Sequence, residues 1–499
     1  MKMSSLSNSS LLGSSAKNKR NLLPIPHGTI PQPKGQDLDF VNVAYSHLIH
    51  SEWEKLEDLS SGLNPFRFKH VLLKLKKDYV LSYEFYKWVN LKKPNFHNLE
   101  THSMILHVLT KHRKFKSTQE IMKNILNSRS IELHIKLFEA ILYSYRLCDS
   151  SPCVFDALFK TLAHMKKFRY ATDTFCLMKD YGFLPTIESC NALMSSLLSF
   201  NRVDIVLSFY REIKKCKILP NVYTMNMVIS AYCKLGNLER ALEVFHDMTS
   251  MGIFPTVASY NTLIGGYSDK GLISSALKLK SSMEKNGLKR DVVTYNTLIY
   301  GYCKEGKLQD AYKVFNEMKS VEIPPNTITY NSLINGYSQL GNSAMGYELY
   351  EDMLKFGVKA DIVTYNALIL GFCNEGKTKK AAFVVKELDK QNLVPNSSTY
   401  YALILGQCMR KNSERAFELY KSMIRSGCYP NSKTYGILIS CFCHNKDFDV
   451  AIGVLREMLG RSVVPDSAVV SELCNGLFLN GNADLAVKLR DEVDATFRG

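Results

Sequence analysis

Residues 257–267 read VASYNTLIGGY, 292–302 read VVTYNTLIYGY, 327–337 read TITYNSLINGY and 362–372 read IVTYNALILGF. Each stretch begins 35 residues after the one before it, and no gap is needed to align them. Extending that register in both directions places block starts at Pro152, Ile187, Val222, Val257, Val292, Thr327, Ile362, Ser397 and Ser432, with a shorter last block from Ser467. Self-similarity at a fixed period of this length is the signature of stacked supersecondary units. The chain is therefore one quasi-one-dimensional array more than a set of separate globular domains.

The internal pattern of a block specifies two helices. Apolar side chains fall at the fourth, seventh, eighth and eleventh places, as in Tyr295, Leu298, Ile299 and Tyr302, and these spacings share one helical face. Glycine stands at the fifteenth place in Gly236, Gly271, Gly306, Gly341, Gly376 and Gly481, where a positive φ ends the first helix, helix A. A second amphipathic run, helix B, follows. Its small residue at the twentieth place (Ala241, Ala276, Ala311, Gly346, Ala381, Ala416, Ala451, Ala486) lets paired helices approach closely, and methionines such as Met248 and Met318 fill the space further along. A Gly/Pro loop such as MGIFPT closes the block. One hairpin cannot bury both apolar faces, so neighbours must stack. The expected fold class is all-α, a superhelical α-solenoid of about ten 35-residue helix-hairpin repeats.

The regions before the array are less regular. Residues 1–36 contain no Asp or Glu, hold seven serines, and carry Lys17, Lys19, Arg20 and a proline-rich stretch around Pro24, Pro26, Pro31 and Pro33, a composition expected of an organelle transit peptide or a disordered tail. Residues 37–98 are expected to form a helical cap without an assignable motif. Residues 99–151 read as degenerate repeats, with an irregular helix around Leu137 to Tyr145, ahead of the main array at 152–499.

The 63 Lys and Arg against 47 Asp and Glu give a net charge of +16, which favours a polyanionic partner. Residues 1–186 hold 27 of those bases against 16 acids, so the excess is concentrated towards the N-terminus. No run of 18 apolar residues occurs, and no membrane partner is expected. Of thirteen cysteines, Cys233, Cys303, Cys373, Cys408 and Cys443 recur at multiples of the period. Residues one repeat apart do not converge on one metal, so they read as small core residues in a reducing compartment.

The TYNTLI, GYCKEGKL and G-x-x-P-N elements at this period resemble the pentatricopeptide repeat (PPR) family, in its plain class without variant-length repeats, over residues 152–499 and more weakly over 99–151. The resemblance implies a plant organellar protein that binds single-stranded RNA, one base per repeat. It would act in splicing, stabilisation, processing or translation of a transcript. The expected compartment is the mitochondrion, with the chloroplast as the alternative. Other RNA-processing proteins are further candidate partners.

Helix A of each block also carries residues for which no packing role is expected. At the fifth place stand Asn191, Asn226, Asn261, Asn296, Asn331 and Asn366 in six successive blocks, although asparagine is a poor helix former. An asparagine amide offers donors and an acceptor in one plane, which suits the edge of an unpaired base. By the resemblance, each works with the last residue of its block, here Asn221, Thr256, Asp291, Asn326, Asp361 and Asn396. The family's rule pairs Asn plus Asp with uracil and Asn plus Asn with cytosine or uracil, so the preferred RNA is pyrimidine-rich. Tyr401 with Asn431 and Gly436 with Asp466 are readers outside the well-behaved pairs, the latter leaning towards guanine; Asp156 with Thr186 also departs from them. Val293, Ile328 and Val363 at the second place would wedge between bases, and Lys234 and Lys304 at the thirteenth would meet phosphates.

No catalytic residue, cofactor or metal site is expected. His50, Ser51 and Glu52 spell the H-x-E of a nucleic-acid deaminase, but the P-C-x-x-C it requires is missing from the sequence. Cys441, Cys443 and His444 lie at tenth, twelfth and thirteenth places of a repeat helix. Phosphate-binding and nucleophile-elbow motifs are likewise missing. The alternative is a peptide-binding scaffold like the tetratricopeptide repeat, whose 34-residue period and tryptophan signature fit less well: Trp53 and Trp88 both precede the main array.

Overall fold

The computed structural model describes residues 22–26, 28–127 and 132–497. Among them are 27 α-helices and one short 3-10 turn, and no strand. The fold is an α-solenoid of helix hairpins, in two compact units that divide at residues 231 and 232, inside the helix Val222–Leu235.

A block from the second unit shows why these residues fold as they do. Helix A, Val292–Lys304, opens on Asp291 in extended conformation; the Asp291 carboxylate accepts from Thr294 N–H, and the Thr294 hydroxyl accepts from Asp291 N–H. This reciprocal box satisfies two of the backbone donors that a helix start leaves orphaned. The helix ends at Glu305, and Gly306 follows at φ 71°. Tyr295, Leu298 and Ile299 are fully buried, while Tyr302 is half-buried. Helix B, Leu308–Ser320, returns along helix A and buries Ala311, Phe315 and Met318. Burial of Phe315 or Met318 contributes about 1.5 to 3 kcal/mol each over leaving it in water.

Consecutive A helices lie so close that their glycines have a steric reason. A Cβ placed on Gly266, at the tenth place, would lie 2.3 Å from Cys233 Sγ of the preceding block; one on Gly406 would lie 2.6 Å from Cys373 Sγ. The periodic cysteines are thus wedged against the next repeat, and all cysteines among the described residues are free.

The first unit is less regular. Helices Gln36–Ile49, Trp53–Asp58, Pro65–Leu75 and Tyr79–Lys92 precede the hairpin Leu99–Lys111 and Phe115–Leu126. Asn64 caps Pro65–Leu75 and Asn98 caps Leu99–Lys111, 98 − 64 = 34 residues apart. The pair Pro65–Leu75 and Tyr79–Lys92 is therefore a hairpin of repeat length that the sequence motif does not reveal, because its apolar positions are filled by aromatic residues: Phe68 stacks on Phe85 at 5.1 Å. Helix Leu133–Ser144 stands without a partner helix B before the array proper begins at Cys153–His164.

Part of the expected transit segment is described. Residues 22–26 and 28–34 form neither helix nor strand, in keeping with their prolines. Leu23 N–H donates to the Asp180 carbonyl at 2.9 Å, and Gly28 sits where an added Cβ would come within 2.3 Å of the Tyr143 carbonyl oxygen. This portion lies against the repeats of the first unit and is not a free tail. Lys17, Lys19 and Arg20 fall outside the described residues.

Buried histidines give the first unit a pH dependence. His107 bonds to Ser150 Oγ at 2.7 Å, the Ile141 carbonyl at 3.0 Å and Ser144 Oγ at 3.0 Å. Burial pushes its pKa down to about 4 despite the Ile141 bond, and burial does the same to His102. A histidine held below its ordinary value stabilises the fold fully above about pH 6.5 and loses that contribution as pH falls towards 4. We expect His107 to account for up to about 3 kcal/mol of acid destabilisation. Thermal melts followed by circular dichroism from pH 7 to 4.5 should show it, and the slope should flatten in His107→Gln; identical profiles would contradict the assignment.

Candidate functional site

The fifth-place asparagines are held more firmly than residues without a packing role would be. Asn261 Nδ2 donates to Asp291 Oδ1 at 2.9 Å, Asn296 to Asn326 at 3.2 Å, Asn331 to Asp361 at 3.0 Å and Asn366 to Asn396 at 3.1 Å. In the first unit Asn191 donates to Asn221 at 3.0 Å. The expected partners are therefore brought together in five blocks.

A third residue, which the sequence reading passed over, completes each set. The threonine at the third place of the following block donates its hydroxyl to the asparagine Oδ1: Thr294 to Asn261 at 2.7 Å, Thr329 to Asn296, Thr364 to Asn331 and Thr399 to Asn366 at 2.6 Å, and Thr224 to Asn191 at 2.8 Å. Its signal was the T of the recurring T-Y-N, visible in the sequence but without an assigned partner. The asparagine thereby ties one helix A to the N-cap of the next, and Asn261 and Asn296 are buried accordingly.

Counting donors and acceptors shows what remains. The network takes one of the two amide hydrogens and one lone pair of the asparagine oxygen, so one donor and one acceptor stay unclaimed. Asp361 uses Oδ1 for Asn331, Val363 N–H, Thr364 N–H and the Thr364 hydroxyl, leaving Oδ2 without a hydrogen bond among the described residues. Burial raises the carboxyl pKa of Asp291 and Asp361, but hydrogen bonds from the threonine N–H, the asparagine amide and the threonine hydroxyl outweigh it, and both are held below the usual carboxylate value. Each is a pure acceptor.

The remaining expected residues are placed variously. Asp156 accepts from Thr186 N–H at 2.7 Å and from Ser189 Oγ at 2.9 Å, a related tie built on an acid. Asn226 lies at the end of the first unit with its amide oxygen buried and unbonded; Thr256, in the second, caps its helix with Ser259. Asn431 caps through Thr434 N–H at 3.0 Å, and Asp466 through Ala468 N–H at 3.0 Å. With Tyr401 and Gly436 at the fifth place, neither of these two blocks has the asparagine tie; these two residues line a cavity of about 540 Å³. Val293, Ile328 and Val363 are each more than half exposed. Lys234 is exposed. Lys304 is engaged within the chain, donating to the Asp269 carbonyl at 2.7 Å with the Asp269 carboxylate 3.6 Å away.

His50 and Glu52 do not form a common centre: His50 Nδ1 donates to the Ser46 carbonyl at 2.8 Å, whereas Glu52 takes His47 at 2.7 Å and Lys55 at 2.8 Å. Among the described residues no group of three His, Cys, Asp or Glu is disposed to hold a metal ion, and no helix is long and apolar enough to cross a membrane.

These repeats define a class of helical-hairpin proteins. The profile of the PPR repeat family matches seven overlapping windows from residue 185 to residue 444, and a PPR repeat profile matches 433–463. The chain belongs to the PPR repeat family. It is 63% identical over 195 residues to a pentatricopeptide repeat-containing protein of Arabidopsis thaliana named as mitochondrial, the match covering 39% of this chain and 37% of that one. A second mitochondrial pentatricopeptide repeat-containing protein from Arabidopsis is 31% identical over 168 residues, covering 34% of this chain and 26% of its own length. The chain thus matches well under half the length of these relatives. Among solved structures, maize PPR10 is similar with a TM-score of 0.44 at 18% identity over 93% of this chain and 79% of that one. PPR10 in complex with an 18-nt psaJ RNA element gives 0.41 at 18% identity, over 92% and 79%.

Proposed function

We propose that this protein binds single-stranded RNA in an organelle, each repeat reading one base through its fifth and last residues, and acts on RNA metabolism by occupancy without catalysing a reaction. One observation carries the reading: the Asn–Asp/Asn–Thr set recurs in register in five repeats, and in each set one amide edge and one N-cap atom are left without a partner among the described residues. A row of identical polar edges at the spacing of a repeat suits a polymer of bases. The more than half-exposed Val293, Ile328 and Val363 beside those edges offer apolar surface for the base faces. PPR10, a member of the same family, is known in complex with RNA. The pairs call for a pyrimidine-rich strand, with uracil at Asn261–Asp291 and at Asn331–Asp361.

Titration with a pyrimidine-rich single strand and with its duplex at two salt concentrations tests the proposal. Preference for the single strand, weakening with salt as counterions are released, is the expected result. Equal affinity for both forms without salt dependence, or retention of peptides in place of RNA, would overturn it.

The compartment proposed is the mitochondrion, in keeping with the names of the two relatives and the acid-free composition of residues 1–36. A fluorescent fusion of the full chain should collect there; accumulation in the chloroplast, cytosol or nucleus would exclude it.

A further inference from the structure

We infer that Cys408 and Cys441 form a reversible disulfide that ties helix Ser397–Met409 to helix Ser432–His444, closed by a low-molecular-mass disulfide and opened by a thiol. The inference does not depend on what the repeats bind.

The repeat register brings the two thiols together. Cys408 is at the twelfth place of its block and Cys441 at the tenth place of the next. From the block at Val222 to the block at Ile362 these two places hold a small residue facing a glycine: among them Cys233 faces Gly266, Cys303 faces Gly336 and Cys373 faces Gly406. A Cβ built on those glycines would stand 2.7, 2.9 and 2.7 Å from the Cβ of the facing cysteine. Real side chains do not approach so closely, so a residue larger than glycine must move the helices apart. An opening of about 1 Å takes that separation to roughly 3.8 Å, the Cβ–Cβ span of a disulfide. Only this pair of blocks meets cysteine with cysteine in that register.

Access and reactivity agree with the geometry. Both cysteines line the same cavity of about 540 Å³, with Tyr401, Gly436 and His444 among the other walls. Cys408 is partly exposed and Cys441 is buried. The two thiols lie close enough to shift each other's ionisation, as neighbours in the stack must.

The Cys408 thiolate, the more exposed of the two, attacks one sulfur of oxidised glutathione, the glutathione S–S bond breaks, and one glutathione thiolate leaves. Cys441 then gives up its proton and attacks the Cys408 sulfur, forming the internal bond and releasing the second glutathione. Two protein thiols are oxidised and one glutathione disulfide is reduced to two thiols.

The test is native full-length protein incubated with oxidised glutathione, alkylated, digested with trypsin and mapped by mass spectrometry, with circular dichroism confirming the fold throughout. A peptide pair joined through Cys408 and Cys441, lost on adding dithiothreitol and lost in Cys408→Ser and in Cys441→Ser, is expected. Cys441→Gly, which restores the residue used by the other repeats, should keep the fold and leave Cys408 unlinked or singly glutathionylated. Recovery of both cysteines unlinked in the parent, a link from Cys408 to Cys443, a link between two chains, or linkage only in denaturant would each overturn the inference.

Discussion

Replacing Asp361 with Asn is expected to remove the preference for uracil over cytosine at one position, shifting the relative affinity of the two bases there by about 5- to 150-fold, the equivalent of about 1 to 3 kcal/mol for one good base contact. The substitution is close to isosteric, and the geometry separates its structural half from its reading half. Oδ1 of Asp361 accepts from Asn331, from Val363 N–H and from Thr364 N–H, and an asparagine Oδ1 makes these same bonds at Asn396 for the next helix. What changes is the second atom, an acceptor in Asp361 and a donor in asparagine. Uracil presents N3–H, which the carboxylate accepts; cytosine presents a bare N3, which the amide can serve. Selection of RNA ligands on parent and variant, compared position by position, is the measurement. An unchanged preference at that base, with the variant folded and bound, would remove Asp361 from the readers.

Phe315→Ala is expected to cost about 3 to 5 kcal/mol of stability, the range for emptying a fully buried aromatic site. Phe315 has no exposed surface, and its ring meets Tyr330 of the next repeat edge-on at 5.5 Å, with Lys319 Nζ 4.3 Å from its centroid. Tyr330 in turn donates to Asp352 at 3.0 Å, and Asp352 also holds Lys319 at 2.9 Å. The cavity therefore loosens a joint between repeats as well as a hairpin. In an array stabilised by neighbours the damage should be local at first, with faster amide exchange in the blocks from Val292 to Asp361 before global unfolding. Phe254→Ala, at a site 74% exposed, provides the contrast and should stay within about 0.5 kcal/mol. Equal denaturation midpoints for the two variants would refute the packing assigned to Phe315.

Most of the architecture was legible because a repeat is a local code. The Gly/Pro loop, the glycine near the end of helix A and the small residue of helix B act within 35 residues, and the helices Val292–Lys304 and Leu308–Ser320 begin and end where those signals stand. The hairpin of Pro65–Leu75 and Tyr79–Lys92 was not legible as a repeat. It keeps the length and the asparagine cap of its neighbour but fills its core with Phe68, Phe85 and Tyr86 in place of the motif residues. The course of residues 22–26 and 28–34 was likewise hidden, since a proline-rich sequence argues against helix and says nothing about the surface on which it lies.

At the candidate site the sequence by itself determined which residues recur, because period and residue type need no third dimension. Asn191 to Asn366 and their N-cap partners could be named from it, as could the cysteines. Only the tertiary structure decided that five of these asparagines also tie one helix A to the next. Asn331 meets Asp361 and Thr364, residues 30 and 33 positions further on, across a stacking geometry that no local pattern encodes. The same stacking places Cys408 against Cys441. Separations of that kind are set by how closely one helix can settle on the next, which depends on side-chain volumes on both helices at once.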